Sequence, residues 1–430
     1  MLLEIKKLLE NNTKISAWVI NENISSSSEL FFIKNKLDMN RACDTKEYHI
    51  SIYVDFKEND ILYKGDSIVV ISASDSIEEI QTKIDDAVFY AGFVKNKWYD
   101  LPTNETNAIK KINSFKNLSI LKKDYEKIFN VFFKDYGYES KVNSCEIFAI
   151  EGLKRVISSK GTDVSFPYSR FIFELVTDCE TGLEPVEIFN GYYLTEIDLE
   201  LIEVFIKKQL SETYERSKAV RNEKLENKRV IISGNAVEEF LKFYIDQATD
   251  SSIYQKISKA KLNENFFNNS KEKLNIVMNP YLSSSINSMP VDAQGKILKP
   301  YVLYEDGVLK NLKTSARFSH YLNVENLGNV NTFEVKGGEV SLNEYIKDDY
   351  IEIMEFSSFI MDTNTGDFGG EFRLAKVVEN GKESFITGGA ISENIFDIQN
   401  EMLFSKETLV YKSSICPKAI ILDNITVSGK

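Results

Sequence analysis

Glycine-containing turn sequences punctuate the C-terminal third of the chain, and they constrain its fold more than any other feature. Sequences such as Asp-Gly, Asn-Gly and Gly-Gly favour tight turns between strands, because glycine and asparagine tolerate positive φ angles. Short segments rich in β-branched and aromatic residues lie between these turns from about residue 272 onward. The pattern predicts a β-rich C-terminal region, with turns at 292–295, 305–307, 336–338, 379–381 and 387–389.

The first half of the chain mixes helical and strand patterns. Ser76 and Glu79 form a capping box, in which the hydroxyl and the carboxylate satisfy the first free N–H groups of a helix. Apolar residues at helical spacing predict helices at 2–11, 76–94, 119–135, 196–221 and 235–248. Alternating or β-branched segments predict strands at 15–22, 29–35, 47–55, 67–72, 143–150, 153–158, 166–177, 185–190, 229–233 and 419–427.

These elements predict an α+β fold, with an N-terminal mixed α/β portion and a β-rich C-terminal domain. A chain of 430 residues, 43% of them apolar, is long enough for several domains. The segment 101–107 has the composition of a linker. We therefore expect an N-terminal α/β domain at 1–103, a middle α+β domain at 104–222 and a C-terminal β-rich domain at 223–430.

The balance of charge argues against a nucleic-acid partner. Asp and Glu number 65 against 52 Lys and Arg, a formal net charge of −13, and no long basic run offsets it. The N-terminus mixes charges into a helical pattern, unlike a secretion signal, and no apolar run approaches the roughly 20 residues of a membrane span. The four cysteines form no CxxC pair, so we expect free thiols, a cytoplasmic location and no membrane partner.

The common catalytic motifs are missing from the sequence. The two histidines, His49 and His320, have no second histidine or cysteine at ligand spacing, which excludes a zinc site of the HExxH or CxxC type. Both are expected to be ordinary polar or half-buried side chains. Neither a GxSxG nucleophile elbow nor a GxxxxGK[ST] or GxGxxG phosphate loop occurs, whereas a Mg²⁺ or Ca²⁺ site built from carboxylates alone stays open.

Three polar features each admit a functional and a structural interpretation. The glycine-rich stretch 364–371 would expose backbone N–H groups to a ligand, but a tight turn between strands explains it equally. Asp362 and Asp367 are a candidate acid and base, although nothing in the sequence fixes their distance. The Glu238 and Glu239 pair is best interpreted as the solvated edge of a helix.

The order of several C-terminal segments resembles the TldD/PmbA family, also described as modulators of DNA gyrase and zinc-dependent peptidases. The similarity covers nearly the whole chain, and its most specific part is the C-terminal third. The segments are PVDAQG at 290–295, VLYEDGVLK at 302–310, SAR at 315–317, TGDFGG at 365–370, VENGK at 378–382, TGGAISEN at 387–394 and PKAIILDNITVSG at 417–429.

The resemblance implies an architecture and an activity. It implies an N-terminal α/β portion, a β-rich C-terminal domain, and dimers of one chain or of two related chains. In the two-chain form, TldD carries zinc and TldE (PmbA) does not. Their joint activity is peptide cleavage within an internal cavity, including the maturation of small peptides.

Where TldD-type members place HExxxH, this chain has other residues. That motif lies on the helix after a strand such as 229–233, and a gapless count puts Lys242 and Gln247 at the histidines and Phe243 at the glutamate. Lysine has no lone pair for a metal at neutral pH. TldD-type members also use a cysteine near the C-terminus, and we interpret Cys416 as not equivalent to it. We therefore expect no catalytic residue, no metal and no cofactor in this chain, and no activity from the chain alone.

Three hypotheses follow. The leading one is a TldE/PmbA-like, metal-free subunit that shapes the cavity and binds extended peptide by adding a strand to a sheet edge, as a homodimer or with a zinc-bearing TldD-like chain. The alternatives are a stand-alone homodimeric peptidase with a non-canonical site and a non-catalytic peptide-binding scaffold. The candidate peptide contacts lie at 362–371 and 387–394, although ordinary hairpins explain them as well. They are Asp367, Phe368, Gly369, Gly370, Gly388 and Gly389.

Overall fold

A computed structural model describes residues 1–103, 125–269 and 271–429. It confirms the helices expected near 2–11, 76–94, 196–221 and 235–248. Of the helix expected at 119–135, residues 119–124 lie outside the described residues, as do 104–107 of the expected linker. The helices are α1 Leu2–Asn11, α2 Ile77–Ala91, α3 Tyr125–Phe133, α4 Leu199–Lys218, α5 Asn235–Gln247, α6 Asp250–Tyr254, α7 Ala316–Leu322, α8 Leu342–Tyr345 and α9 Ile395–Ile398.

The N-terminal half of the described chain forms one antiparallel sheet. Its seven strands run in the order β4-β3-β2-β1-β5-β6-β7. Strands from 1–103 and from 104–222 therefore share a sheet through the pairing of β1 with β5, and the division of the chain into three domains stays a prediction. The strands are β1 Ala17–Ile33, β2 Lys36–Glu58, β3 Ile61–Ser72, β4 Asn96–Lys97, β5 Lys141–Ser158, β6 Asp163–Cys179 and β7 Val186–Leu194.

Two strands of this sheet are longer than the sequence pattern indicates. The segments expected at 15–22 and 29–35 are one strand of 17 residues, β1, and those expected at 143–150 and 153–158 are one strand of 18 residues, β5. The serine run at 25–28 breaks the apolar pattern of β1 but not its backbone ladder. Because β1 is paired with β2 on one side and β5 on the other throughout this run, its side chains need not supply a strand signal.

The helices of this half lie on one face of the sheet. Trp18 and Ile20 pack under α1 and α2, and Leu30 and Phe32 pack under α3 and α4. These four residues have the same parity along β1, so they point to the same side. No helix among the described residues covers most of the opposite face, which we call the open face. It carries Asn21, Asn23, Gly152, Lys154, Tyr168 and Arg170.

The C-terminal half builds two further sheets, which confirms the α+β prediction with a β-rich C-terminal region. A nine-stranded sheet runs β19-β22-β9-β14-β16-β17-β8, with β15 and β18 both paired to β16, and a six-stranded sheet runs β12-β11-β10-β13-β21-β20. The strands are β8 Val220–Arg221, β9 Leu225–Ser233, β10 Ile276–Met278, β11 Tyr301–Glu305, β12 Val308–Leu309, β13 Phe333–Val335, β14 Tyr350–Phe356, β15 Ile360–Met361, β16 Asp367–Glu379, β17 Lys382–Thr387, β18 Gly389–Asn394, β19 Leu403–Phe404, β20 Thr408–Val410, β21 Ser414–Pro417 and β22 Ala419–Val427.

The largest core of the molecule surrounds α5. Phe240, Leu241 and Tyr244 of this helix are fully buried against side chains from both C-terminal sheets. A smaller hydrophobic cluster joins the two halves, and its members include Val19 of the open face and Val291 of the C-terminal half. No helix within the described ranges is both long and apolar enough to cross a membrane.

Candidate functional site

Strand β9 and helix α5 carry the position at which the resemblance places a metal motif. Val230, Ile231 and Ile232 are fully buried, since β9 lies inside the nine-stranded sheet between β22 and β14. Gly234 then turns the chain at a φ of 70°, a conformation that residues with a Cβ rarely adopt, and α5 begins at Asn235. The strand thus delivers α5 directly into the core.

The first motif position, Lys242, is held by carboxylates of its own helix. Its Nζ lies 3.0 Å from a carboxylate oxygen of Glu239 and 3.9 Å from one of Glu238. Burial acts to lower the pKa of Lys242, but the two carboxylates outweigh it and leave the pKa above its usual value. The ammonium group therefore keeps its protons and offers no lone pair to a metal ion.

Glu238 is buried, with 6% of its surface exposed, so the prediction of a solvated helix edge is wrong for this residue. Its Oε1 accepts hydrogen bonds of 2.8 Å from the backbone N–H of Ser413 and from the hydroxyl of Ser414. Those donors lie about 175 residues further along the chain, where helical periodicity could not reveal them. Its neighbour Glu239 is exposed, as expected.

The second motif position, Phe243, is part of an aromatic cluster. The side chain is fully buried, and its ring centroid lies 5.3 Å from that of Tyr244, 5.6 Å from that of Phe396 and 6.1 Å from that of Phe266. Such contacts stabilise a core through burial and ring geometry. This position is therefore occupied by packing, and it offers no group that could act as a base.

The third motif position, Gln247, connects separate segments of the chain. Its Nε2 donates to the carbonyl of Thr363 over 2.5 Å, and its Oε1 accepts from the backbone N–H of Lys259 over 2.8 Å and from the hydroxyl of Ser258 over 3.1 Å. Only 1% of the residue is exposed. The amide oxygen is thus already engaged by its own chain.

Cys416 lies beside this helix, on β21. Burial raises the pKa of its thiol far above the usual value, and the negative charge of Glu238 adds to the rise. The thiol donates a hydrogen bond of 3.2 Å to the hydroxyl of Ser414. A protonated, buried thiol is neither a metal ligand nor a nucleophile. Whether Cys416 corresponds to the cysteine of TldD-type members stays a prediction.

The structure brings together the two segments expected to contact peptide. In β16 and β18, Phe372 pairs with Gly389 and Gly369 pairs with Ser392, while Gly369 also pairs with Ile360 of β15. The backbone at Gly369 therefore has strands on both sides, with no free edge for an added strand. The glycines permit this close approach, since a Cβ on Gly369 would lie 2.3 Å from the carbonyl oxygen of Ile391.

The six candidate contacts differ in exposure. Phe368 is buried against Phe240, with ring centroids 4.9 Å apart. Asp367 and Gly388 are exposed, and a 2.8 Å hydrogen bond from Asn394 lowers the pKa of Asp367. Asp362 accepts backbone hydrogen bonds from Asn364 and Thr365 within its own turn, and a joint role with Asp367 as acid and base stays a prediction. A peptide contact by Asp367 and Gly388 stays a prediction.

A polar cleft between the two halves was not expected from the sequence. Its volume is about 400 Å³, and its walls include Tyr53 and Tyr99 from the N-terminal half and Asp250, Lys313 and Arg317 from the C-terminal half. Burial raises the pKa of Asp250 and lowers that of Lys313. These residues come from distant parts of the chain, so no local spacing could have indicated the cleft.

A second cleft, of about 280 Å³, lies where the open face meets the loop around 289–293. Asn21, Asn23 and Lys154 line it from the open face, together with the apolar ring of Phe166. The loop is fastened to the sheet by a 3.1 Å hydrogen bond from Asn21 to the carbonyl of Ala293. The loop therefore forms one wall of this cleft.

Comparison with known proteins decides the family. Residues 226–429, nearly all of the region from β9 to β22, match the family model of the PmbA/TldA metallopeptidase C-terminal domain. The C-terminal half of the chain, residues 226–429, belongs to the TldD/PmbA family. Over 270 residues it is 24% identical to the uncharacterized protein MJ0231 of Methanocaldococcus jannaschii, an alignment that spans 59% of this chain and only 61% of that protein.

Solved structures show the same fold over the full length of the chain. TldE from Thermococcus kodakarensis has a TM-score of 0.80 and 17% identity, with 99% of this chain and 100% of that chain covered. A proposed modulator of a DNA gyrase from Thermotoga maritima has a TM-score of 0.78 and 17% identity over all of both chains. Another from Bacteroides thetaiotaomicron has a TM-score of 0.80 and 15% identity, covering 100% of this chain and 98% of that one.

Two segments by which the chain resembles TldD/PmbA proteins meet at the junction of the halves. Gln294, from 290–295, accepts a 2.9 Å hydrogen bond from the backbone N–H of Ala316, within 315–317. Asp292 is buried and accepts backbone hydrogen bonds from Lys296 and Asn329. These family segments therefore build the walls of the two clefts.

The zinc that a TldD-type member would hold does not fit the residues of α5. Lys242 is a protonated cation, Phe243 has no donor atom, and the amide oxygen of Gln247 is engaged by its own chain. Within 1–103, 125–269 and 271–429, no three His, Cys, Asp or Glu side chains cluster as a metal site would require. No step of a reaction is therefore assigned to a metal in this chain.

Proposed function

We propose that this chain is the metal-free, TldE/PmbA-like subunit of a cytoplasmic two-chain metallopeptidase that processes small peptides. In this proposal a zinc-bearing TldD-like chain supplies the metal and its ligands. The present chain shapes the cavity and holds the peptide in an extended form.

One observation carries the proposal: the three motif positions on α5 have been taken over by structural contacts. Phe243 packs in an aromatic cluster and Gln247 joins three segments by hydrogen bonds. Lys242 is neutralised by Glu238 and Glu239. A helix of the expected position and length is retained while its side chains serve the core, which supports a role in architecture and binding.

The test is reconstitution with a HExxxH-bearing relative from the same organism. Each chain is purified alone and the two are also co-expressed, and zinc is measured by mass spectrometry alongside cleavage of an unstructured peptide. We expect co-purification, zinc only in samples that contain the partner, and cleavage only by the pair, abolished by a chelator.

The alternatives give other outcomes in the same experiment. Cleavage by this chain alone that survives chelators would replace the proposal with a stand-alone homodimeric peptidase. If the relative neither binds this chain nor gains activity from it, a non-catalytic peptide-binding scaffold takes its place. Stoichiometric zinc in the separately purified chain would also overturn the metal-free assignment.

A further inference from the structure

Two cations surround one tyrosine on the open face. The ring of Tyr168 lies over Gly152 of the adjacent strand, where a Cβ would come within 2.4 Å of ring atoms. The Tyr168 hydroxyl donates a 3.0 Å hydrogen bond to Oδ1 of Asn23. Lys154 Nζ lies 5.2 Å from the ring centroid, and Arg170 Cζ lies 5.4 Å from it. The contact with Gly152 and the hydrogen bond to Asn23 thus fix the ring, and cation–π interactions hold both cations beside it.

No described acidic side chain neutralises this pair. Lys154 and Arg170 form no ion pair with any residue in 1–103, 125–269 or 271–429, and Arg170 Nε is buried there without a hydrogen-bond partner. On the same face, Glu29 is paired with Arg41 and Glu47 with His49.

The pKa of Lys154 is consistent with a cation that has no acidic partner. Burial lowers the pKa of Lys154, and the neighbouring positive charge of Arg170 lowers it further. A half-buried pair of like charges with an unused donor is unfavourable on its own and becomes favourable when an anion binds. The arrangement therefore has the chemistry of an anion site.

The cation pair also adjoins a space of suitable size. Lys154 is itself a wall of the second cleft, whose volume of about 280 Å³ is near the lower end of the range for small-ligand sites. The cleft combines the apolar side chains of Phe166 and Val291 with the amides of Asn21 and Asn23. Apolar surface beside amide groups suits a peptide unit and its side chain.

We propose that Lys154 and Arg170 bind a carboxylate of a peptide, either its C-terminal group or an acidic side chain, while the adjoining residue occupies the second cleft. The planar guanidinium of Arg170 matches a carboxylate, and Lys154 adds a point charge. This inference rests on the proposed function, because a peptide is the ligand which that function supplies.

The test measures peptide binding to the full chain by isothermal titration calorimetry. The probes are N-acetylated penta-alanine with a free C-terminus, its C-amidated twin, an amidated version with one glutamate, and inorganic phosphate. We expect at least one carboxylate-bearing peptide to bind about 10- to 100-fold more tightly than the carboxylate-free amide. Lys154→Met and Arg170→Gln should each remove that preference.

Two further variants keep the result interpretable. Lys141→Met removes an exposed cation from the first residue of β5, which does not line the second cleft, and it should leave peptide affinity unchanged. Arg170→Lys retains the charge and should keep part of the preference, even if Arg170→Gln does not fold.

Several outcomes would overturn the inference. They are equal affinity for all the peptides, a carboxylate preference that survives in Lys154→Met or in folded Arg170→Gln, or binding of phosphate with no preference among peptides. Failure of the reconstituted pair to cleave peptide, with carboxylate-dependent binding intact, would instead overturn only the proposed function. Cleavage without any carboxylate preference would overturn only this inference.

Discussion

Gln247 donates a 2.5 Å hydrogen bond from its side-chain amide to the carbonyl of Thr363, which ties the last turn of α5 to the turn that precedes β16. The same amide accepts from the backbone of Lys259. We expect Gln247→Ala to lower the free energy of unfolding by about 1–3 kcal/mol, because it leaves buried polar groups without partners. Urea denaturation of the variant and of the wild type measures this change in the free energy of unfolding. Gln255→Ala, at an exposed position after α6, is the control, and an equal loss in both variants would contradict the prediction.

Restoring the missing motif should fail to create a zinc site. The triple variant Lys242→His, Phe243→Glu, Gln247→His places a carboxylate inside the aromatic cluster around Phe243, at a cost of about 3–5 kcal/mol. We expect a lower melting temperature and no stoichiometric zinc, measured by calorimetry and mass spectrometry. Lys242→His alone, at a half-exposed position, should change stability little. A triple variant with native melting temperature and bound zinc would refute this expectation.

Burial of the Glu212 carboxyl group makes the free energy of unfolding depend on pH. Burial raises its pKa to about 7, with Lys208 opposing the rise and Glu355 and Glu352 adding to it. Its Oε2 is buried with no hydrogen-bond partner among the described residues. Glu355, whose pKa is also raised by burial, faces the same junction between α4 and β14.

The sign of the effect follows from proton binding. The unfolded chain releases the Glu212 proton near pH 4.5 and the folded chain near pH 7, so stability falls as pH rises between these values. At about 1.4 kcal/mol per unit, the loss is roughly 3 kcal/mol. Glu212→Gln should remove it, so its stability relative to wild type should increase from pH 4 to pH 8 in urea unfolding. Glu200→Gln, exposed at the start of α4, should show no such trend.

The glycines of the candidate peptide segments should prove structural where strands approach closely. Gly369→Ala brings a Cβ within 2.3 Å of the Ile391 carbonyl oxygen and should destabilise the protein more than Gly388→Ala, which meets no atom within 4 Å and suffers only from its φ of +76°. The latter strain is about 1–2 kcal/mol. Thermal unfolding of both variants makes the comparison. Lost peptide affinity with unchanged stability in Gly369→Ala would favour a contact role instead.

Thiol accessibility offers a simple check of the fold. Cys43 lies on an exposed part of β2, whereas Cys145, Cys179 and Cys416 are buried, and all four are free. Ellman's reagent should therefore modify one thiol rapidly in the native protein and four in denaturant. Cys43→Ser should abolish the rapid phase, and a rapid phase that persists in this variant would show that a buried cysteine becomes exposed.

Local signals in the sequence predicted local structure well. The capping box of Ser76 and Glu79 is present, with both of its hydrogen bonds formed, because it depends on residues three apart. The position of α5 was also predicted, since its apolar periodicity is strong. The resemblance to TldD/PmbA proteins identified the family, whereas composition and spacing alone could not.

Long-range partners explain what the sequence did not reveal. The sequence predicted a solvated side chain for Glu238, because the hydrogen-bond donors that it meets in the core, Ser413 and Ser414, lie at the far end of the chain. The proximity of Lys154 and Arg170 could not be predicted from the sequence, because it depends on the register of β5 against β6. A sequence pattern records which residues are polar, but not which of them a sheet places side by side.

The pairing of β1 with β5 also shapes how this chain is made. β5 begins about 110 residues after β1 ends, so at about 5–20 residues per second it leaves the ribosome roughly 5–20 s later. Until then one edge of β1, from Val19 to Ile33, has unpaired backbone groups that another chain could bind. The serine run at 25–28 lies in the middle of that edge, where it makes β1 less apolar. Before β5 is synthesised, this polarity reduces the tendency of the nascent protein to aggregate.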